Sequence, residues 1–144
     1  MKKGYRLDSV ARGFAEVFLQ APSSNRRAAL VAACEMGLSH SRVMDPLASR
    51  ALESIRSGGS ATPTLRRELA ERAAQLDEAY LSRCDEDGRA EAEALELFSK
   101  ARAFASLAYA LGEGEDWLEA LYEAVSTVDE QGRMVERLIA LLKA

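Results

Sequence analysis

Between Ala94 and Leu111 the chain reads ALELFSKARAFASLAYAL, and Leu97, Ala101, Phe104, Ala108 and Leu111 recur at spacings of four, three, four and three. That spacing is one face of an α-helix. Residues Ala103 to Leu111 carry no charge, and Ala103, Leu107 and Ala110 lie off the first face, so the second half is apolar nearly all round. A helix of that kind is buried on several sides, and its alanines let neighbouring helices come close. Residues 94–111 are therefore expected to be the central element of the fold.

The rest of the chain carries the same period. Asp8 or Ser9 is placed to cap a first helix ending near Leu19, with Val10, Phe14, Val17 and Phe18 as its stripe. After the break at Ala21-Pro22, Ser23 or Ser24 caps a second helix over Asn25 to Met36, which Gly37 is expected to end in the left-handed conformation. Leu38 to Met44 form a connector or a short helix. Asp45-Pro46 opens a third helix, with Leu47, Ala48, Ala51, Leu52 and Ile55 inward and Gly58-Gly59 as its stop. Thr62-Pro63 repeats that start for a fourth helix, marked by Leu65, Leu69, Ala73, Leu76 and Tyr80. A polar turn, Asp85 to Gly88, leads into the central helix, which Gly112 ends. Asp116 with Glu119 makes a capping-box-like opening of a sixth helix holding Trp117, Leu118, Leu121, Tyr122 and Val125. Gly132 is expected to precede a last helix with Met134, Leu138, Leu141 and Leu142 inward.

The expected architecture is all-α: one domain over residues 1–144, a bundle of about seven helices around residues 94–111. Alanine, leucine, glutamate and arginine dominate and strand-favouring residues are sparse, which agrees. A chain of 144 residues buries about two-thirds of its unfolded surface, enough for a real core. Arg6, Asp8 and Arg12 interrupt the N-terminal stretch, so no secretion signal is expected, and no run nears the roughly 18 apolar residues that span a membrane. Cys34 and Cys84 are too few for a disulfide framework and read as buried thiols in a reducing, cytoplasmic setting.

Charge is where a function first shows. Residues 1–72 hold 12 Lys and Arg against 7 Asp and Glu, while residues 73–144 hold 7 against 16. Glu113, Glu115, Asp116, Glu119 and Glu123, with Asp85, Glu86 and Asp87, are the expected partner-binding residues of an acidic surface that steers in a basic protein. The competing account is that helix N-termini favour carboxylates through the macrodipole. An apolar strip on the last helix is where two copies of the chain would pair.

Enzymatic signatures are missing, and neither a cofactor nor a metal is expected. His40 is the one histidine, which excludes a multi-histidine zinc site; Cys34 and His40 would have to meet in space to act together. Counted from Asp85, a calcium loop would place glycine sixth, but Ala90 stands there, and a solvated turn fits better. Ala33, Gly37 and Val43 echo a helix-turn-helix over residues 28–47, with His40, Ser41 and Arg42 towards DNA and Arg26 and Arg27 towards phosphates. Pro46 cuts its recognition helix short, and the acidic balance counts against nucleic acid.

The order of segments resembles a group of small all-helical bacterial proteins, made up of a family of unknown function and relatives assigned as immunity proteins of polymorphic toxin systems. The likeness covers about residues 25–130. It runs through the Ala33-Cys34-Glu35 helix, the Leu52–Ile55 helix, the helix from Leu65, the alanine-rich Ala101 to Leu111 and the segment Leu118 to Val128. It carries over no site residue. What it implies is a non-enzymatic helical binder that neutralises a cognate toxin, with a DNA-binding regulator built on residues 28–47 as the alternative reading.

Overall fold

The computed structural model describes residues 5–58, 63–84 and 91–144. Among these residues a short 3-10 helix, Arg6–Ser9, precedes seven α-helices: α1 Phe14–Gln20, α2 Ser23–His40, α3 Pro46–Ser57, α4 Pro63–Cys84, α5 Glu91–Ala110, α6 Asp116–Val125 and α7 Gln131–Lys143. The described residues contain no strand, so the fold is all-α. Asp85, Glu86, Asp87 and the turn compared with a calcium loop lie outside the described residues, as do Gly59 and Thr62.

α5 packs against α2, α3, α4 and α6, and α2 packs against α3, α5, α6 and α7. α4 leans almost wholly on α5, while α1 and the 3-10 helix cover α7 and α6. The expected central helix is thus central, most fully in its second half; Ala94 is buried in the first. Ala101, Ala103, Phe104, Leu107, Ala108 and Ala110 are buried, whereas Leu97 and Leu111 are only partly covered and Leu95 stands exposed. Phe14 and Phe18 from α1 and Leu30 from α2 complete the core at 1% exposure or less. Each such side chain contributes about 1.5–3 kcal/mol by leaving water.

Local sequence explains several helix ends. Asp45 Oδ1 accepts from the Leu47 amide at 2.9 Å, Pro46 fills the first helical position, and Gly58 closes α3 at φ +69°. These were legible from the chain. Other ends differ. The first helix does not run from Asp8: Gly13, at φ +83°, divides it into the 3-10 turn and α1, and Asp8 Oδ1 instead accepts from the Ala15 amide at 3.3 Å. Neither Ser23 nor Ser24 caps α2, whose N-cap is Pro22. Gly132 lies inside α7 and interrupts nothing.

The largest departure is at Gly37. α2 runs unbroken through it to His40, because the site calls for a small residue, not a turn. A β-carbon there would lie 3.4 Å from Thr127 Oγ1 and 3.8 Å from the Ala124 backbone, so Gly37 is where α2 crosses the end of α6. The left-handed residue ending α2 is Arg42, at φ +56°, with Val43 N–H donating to the Leu38 carbonyl at 3.1 Å. The helix-turn-helix over residues 28–47 is therefore corrected: no turn exists at Gly37, and Ser39 and His40 belong to α2.

Candidate functional site

The expected acidic residues that fall in the described chain lie on α6 and the loop before it, and arginines from distant segments meet them. Asp116 does not cap its helix. Its Oδ2 takes Arg66 Nη2 of α4 at 3.0 Å, which replaces the capping-box arrangement read from Asp116 and Glu119. That carboxylate swings so close to Gly112 that a β-carbon on Gly112 would overlap it. Trp117 Nε1 donates to the Gly112 carbonyl at 3.0 Å and ties the loop to α6 from the other side. The loop itself turns at Gly114, at φ +59°.

Glu119 accepts both Arg6 Nε, at 2.9 Å, and Arg6 Nη2. The same guanidinium lies 4.5 Å from the Tyr122 ring and 3.6 Å from Glu123 Oε1. Glu123 is buried at 3% exposure and accepts Arg102 Nη1 of α5 at 2.8 Å; Arg102 Nη2 reaches Asp77 Oδ2 of α4 at 2.6 Å. Asp77, Arg102, Glu123, Arg6 and Glu119 thus form one chain of alternating charge across three helices and the N-terminal turn. Burial pushes the Glu123 carboxyl above its ordinary value, against the pull of Arg102 and Arg6. Arg66, Asp77, Arg102 and Glu123 also border a groove of about 360 Å3 between α4, α5 and α6, walled by alanines such as Ala73 and Ala105.

The expected acidic surface is therefore smaller than its sequence list. Glu123 is an interior group, and Asp116 and Glu119 are each held by an arginine. Glu113 and Glu115 are exposed at the tip of the loop, where the Tyr5 hydroxyl donates to Glu115 Oε1 at 3.4 Å. Sequence reasoning missed Arg6, Arg66, Asp77 and Arg102. One signal was available for Arg102: it is the last charge before the uncharged run 103–111, and a lone charge beside such a run needs a partner inside.

Cys34 and His40 do not form a pair. The Cys34 thiol is buried, 3.6 Å from Ser106 Oγ, and burial pushes it up to about 12, which leaves it protonated at neutral pH. His40 is on the surface, its Nε2 3.9 Å from Asp129 Oδ2. Among the described residues no group of three His, Cys, Asp or Glu is placed to hold a metal ion, and no helix is long and apolar enough to cross a membrane.

The fold and the site define a class, an all-helical bundle whose α5–α6 loop carries two exposed carboxylates on an arginine-braced base. No protein-family profile, no curated protein and no solved structure matches the chain.

Proposed function

We propose that the protein is a non-enzymatic binding domain of the immunity type, which engages a basic protein partner through the α5–α6 loop. The observation that carries this reading is the division of labour among the carboxylates. Asp116 and Glu119 bind Arg66 and Arg6 and hold the loop, while Glu113 and Glu115 are exposed in front of them, Glu115 with the Tyr5 hydroxyl on its Oε1. A fixed negative tip steers a positive partner and loses little side-chain and loop entropy on docking. A toxin's cationic active-site cleft or target-binding face is the kind of surface it would occupy.

The test is co-expression with the product of the neighbouring gene. That product alone should arrest growth, and this chain should restore it. The Glu113→Lys/Glu115→Lys double variant should lose rescue while keeping its helical circular dichroism. A harmless neighbour removes the immunity reading, and undiminished rescue by the double variant moves the interface off this loop.

A further inference from the structure

A second site stands apart from that loop. A cleft of about 510 Å3 opens where the connector after α2 meets the first half of α5 and the link between α6 and α7. Leu95, Phe98 and Val128 form its apolar wall, and Leu95 keeps 60% of its surface uncovered. Four hydroxyl residues line it as well, the half-buried Ser99 and Ser126 and the buried Ser41 and Thr127.

Their protons are all committed. Ser126 Oγ donates to the Tyr122 carbonyl at 2.8 Å, and Thr127 Oγ1 to the Ala124 carbonyl at 2.7 Å. Ser41 and Ser99 hydroxyls lie 2.7 Å apart, with the Ser99 carbonyl 3.2 Å from Ser41 Oγ and the Thr127 carbonyl 3.0 Å from Ser99 Oγ. Whichever way those two protons are arranged, both stay within the cluster. A hydroxyl has one proton and two lone pairs, so what these four offer a ligand is acceptor capacity; the side-chain donors on the lining are His40 and Arg42. On the rim, the Asp129 carboxylate is almost wholly exposed with His40 Nε2 3.9 Å from its Oδ2, and Glu96 is engaged by Lys100 at 3.1 Å.

We propose that this cleft takes a primary alkylammonium group, its head among the hydroxyl lone pairs and Asp129, its methylene stem along Leu95, Phe98 and Val128. An ammonium carries three donors and no acceptor, which complements such a lining. A carboxylate or phosphate would meet lone pairs at the four hydroxyls and would have only Arg42 and His40 to bind. The group is that of a small free amine or of a lysine side chain offered by another protein. Arg42, on the same rim, opposes a cation and tunes the affinity downward. None of these residues belongs to the α5–α6 loop, so the proposal stands or falls independently of the binding reading above.

The experiment is an amide-resolved NMR titration of the full chain with n-butylammonium, with n-butanol and butyrate as neutral and anionic controls of the same length. A capped tripeptide containing one lysine, and its norleucine counterpart, form the second arm. Saturable shifts at Ser41, Ser99, Ser126 and Thr127 with butylammonium, and none with butyrate, are expected. Asp129→Asn should weaken binding by about fivefold, and Arg42→Gln should tighten it by a similar factor. Tighter binding of the lysine peptide than of the free amine assigns the cleft to a partner's lysine, and the reverse assigns it to a small amine. Butyrate binding that Arg42→Gln abolishes would make this an anion site and overturn the proposal. So would the absence of saturable shifts at the cleft from both amines.

Discussion

Arg102 on α5 places one terminal nitrogen 2.8 Å from Glu123 Oε2 on α6 and the other 2.6 Å from Asp77 Oδ2 on α4. A single side chain therefore joins three helices, with its guanidinium 5.5 Å from the Phe98 ring one turn back on its own helix. The two carboxylates are not equivalent, because the Glu123 side chain is 4% exposed and that of Asp77 39%. Removing one partner of a buried pair leaves an uncompensated charge, which costs about 3 kcal/mol or more. Arg102→Ala should lower stability to urea by about that amount, whereas Asp77→Ala should cost under about 1 kcal/mol, as exposed pairs do. Equal losses in the two variants would show that burial does not set the strength of this network.

The same burial gives a pH dependence of known sign. Desolvation holds the Glu123 carboxyl above 4.5, the value it has in the unfolded chain, and Arg102 opposes the shift without cancelling it. The folded state thus binds this proton more tightly. Its contribution is fully present below the unfolded value and is lost as pH rises through the raised folded value. Glu123→Gln lacks that titration. The stability difference between the natural chain and the variant should therefore move in the variant's favour as pH climbs from about 4 to 7. A difference that stays flat over that range contradicts the assignment.

Gly37 separates two accounts of the α2 sequence. In a left-handed turn, alanine there would be strained. In the continuous helix, alanine removes the entropic cost of a mid-helix glycine, worth up to about 1 kcal/mol, and its β-carbon meets Thr127 Oγ1 at an ordinary 3.4 Å. Gly37→Ala should be neutral or stabilising in thermal unfolding. Gly37→Leu, which pushes α2 away from α6, should cost about 1–3 kcal/mol.

Arg42 ends α2 in a conformation that suits glycine. At φ +56° an L side chain crowds its own carbonyl at a cost of about 1–2 kcal/mol. Two hydrogen bonds hold it there, Arg42 N–H to the Ser39 carbonyl at 3.2 Å and Val43 N–H to the Leu38 carbonyl at 3.1 Å. Arg42→Gly should raise stability by about 1 kcal/mol. A loss on denaturant unfolding would mean that the arginine side chain makes up more than its backbone costs.

Asp116 and Glu123 show how the candidate site stood in the chain. Both belong to the acidic run between Glu113 and Glu123, and the negative balance of residues 73–144 assigned each to a surface. Local spacing favours a cap for Asp116, yet Arg66, fifty residues away, offers a full counter-charge and wins the carboxylate. Glu123 follows Leu121 and Tyr122 on a helix whose neighbours cover it broadly, so Ala120, Glu123, Ala124 and Thr127 are all buried. A charge can sit there only because Arg102 and Arg6 arrive from α5 and the N-terminal turn. Glu113 and Glu115, with no helix face to bury them, were legible as exposed.

The sequence by itself determined the helical class and the starts and stops that depend on a few adjacent atoms, such as Asp45-Pro46 and Gly58 around α3. A cap, a fixed φ or a missing β-carbon acts within a turn of chain, so its outcome is written locally. Tertiary structure alone decided that Gly37 is a crossing point, that Glu123 is interior, and which arginine each carboxylate keeps. Those outcomes compare energies between groups far apart in sequence, and only the packed chain brings the competitors within reach of one another.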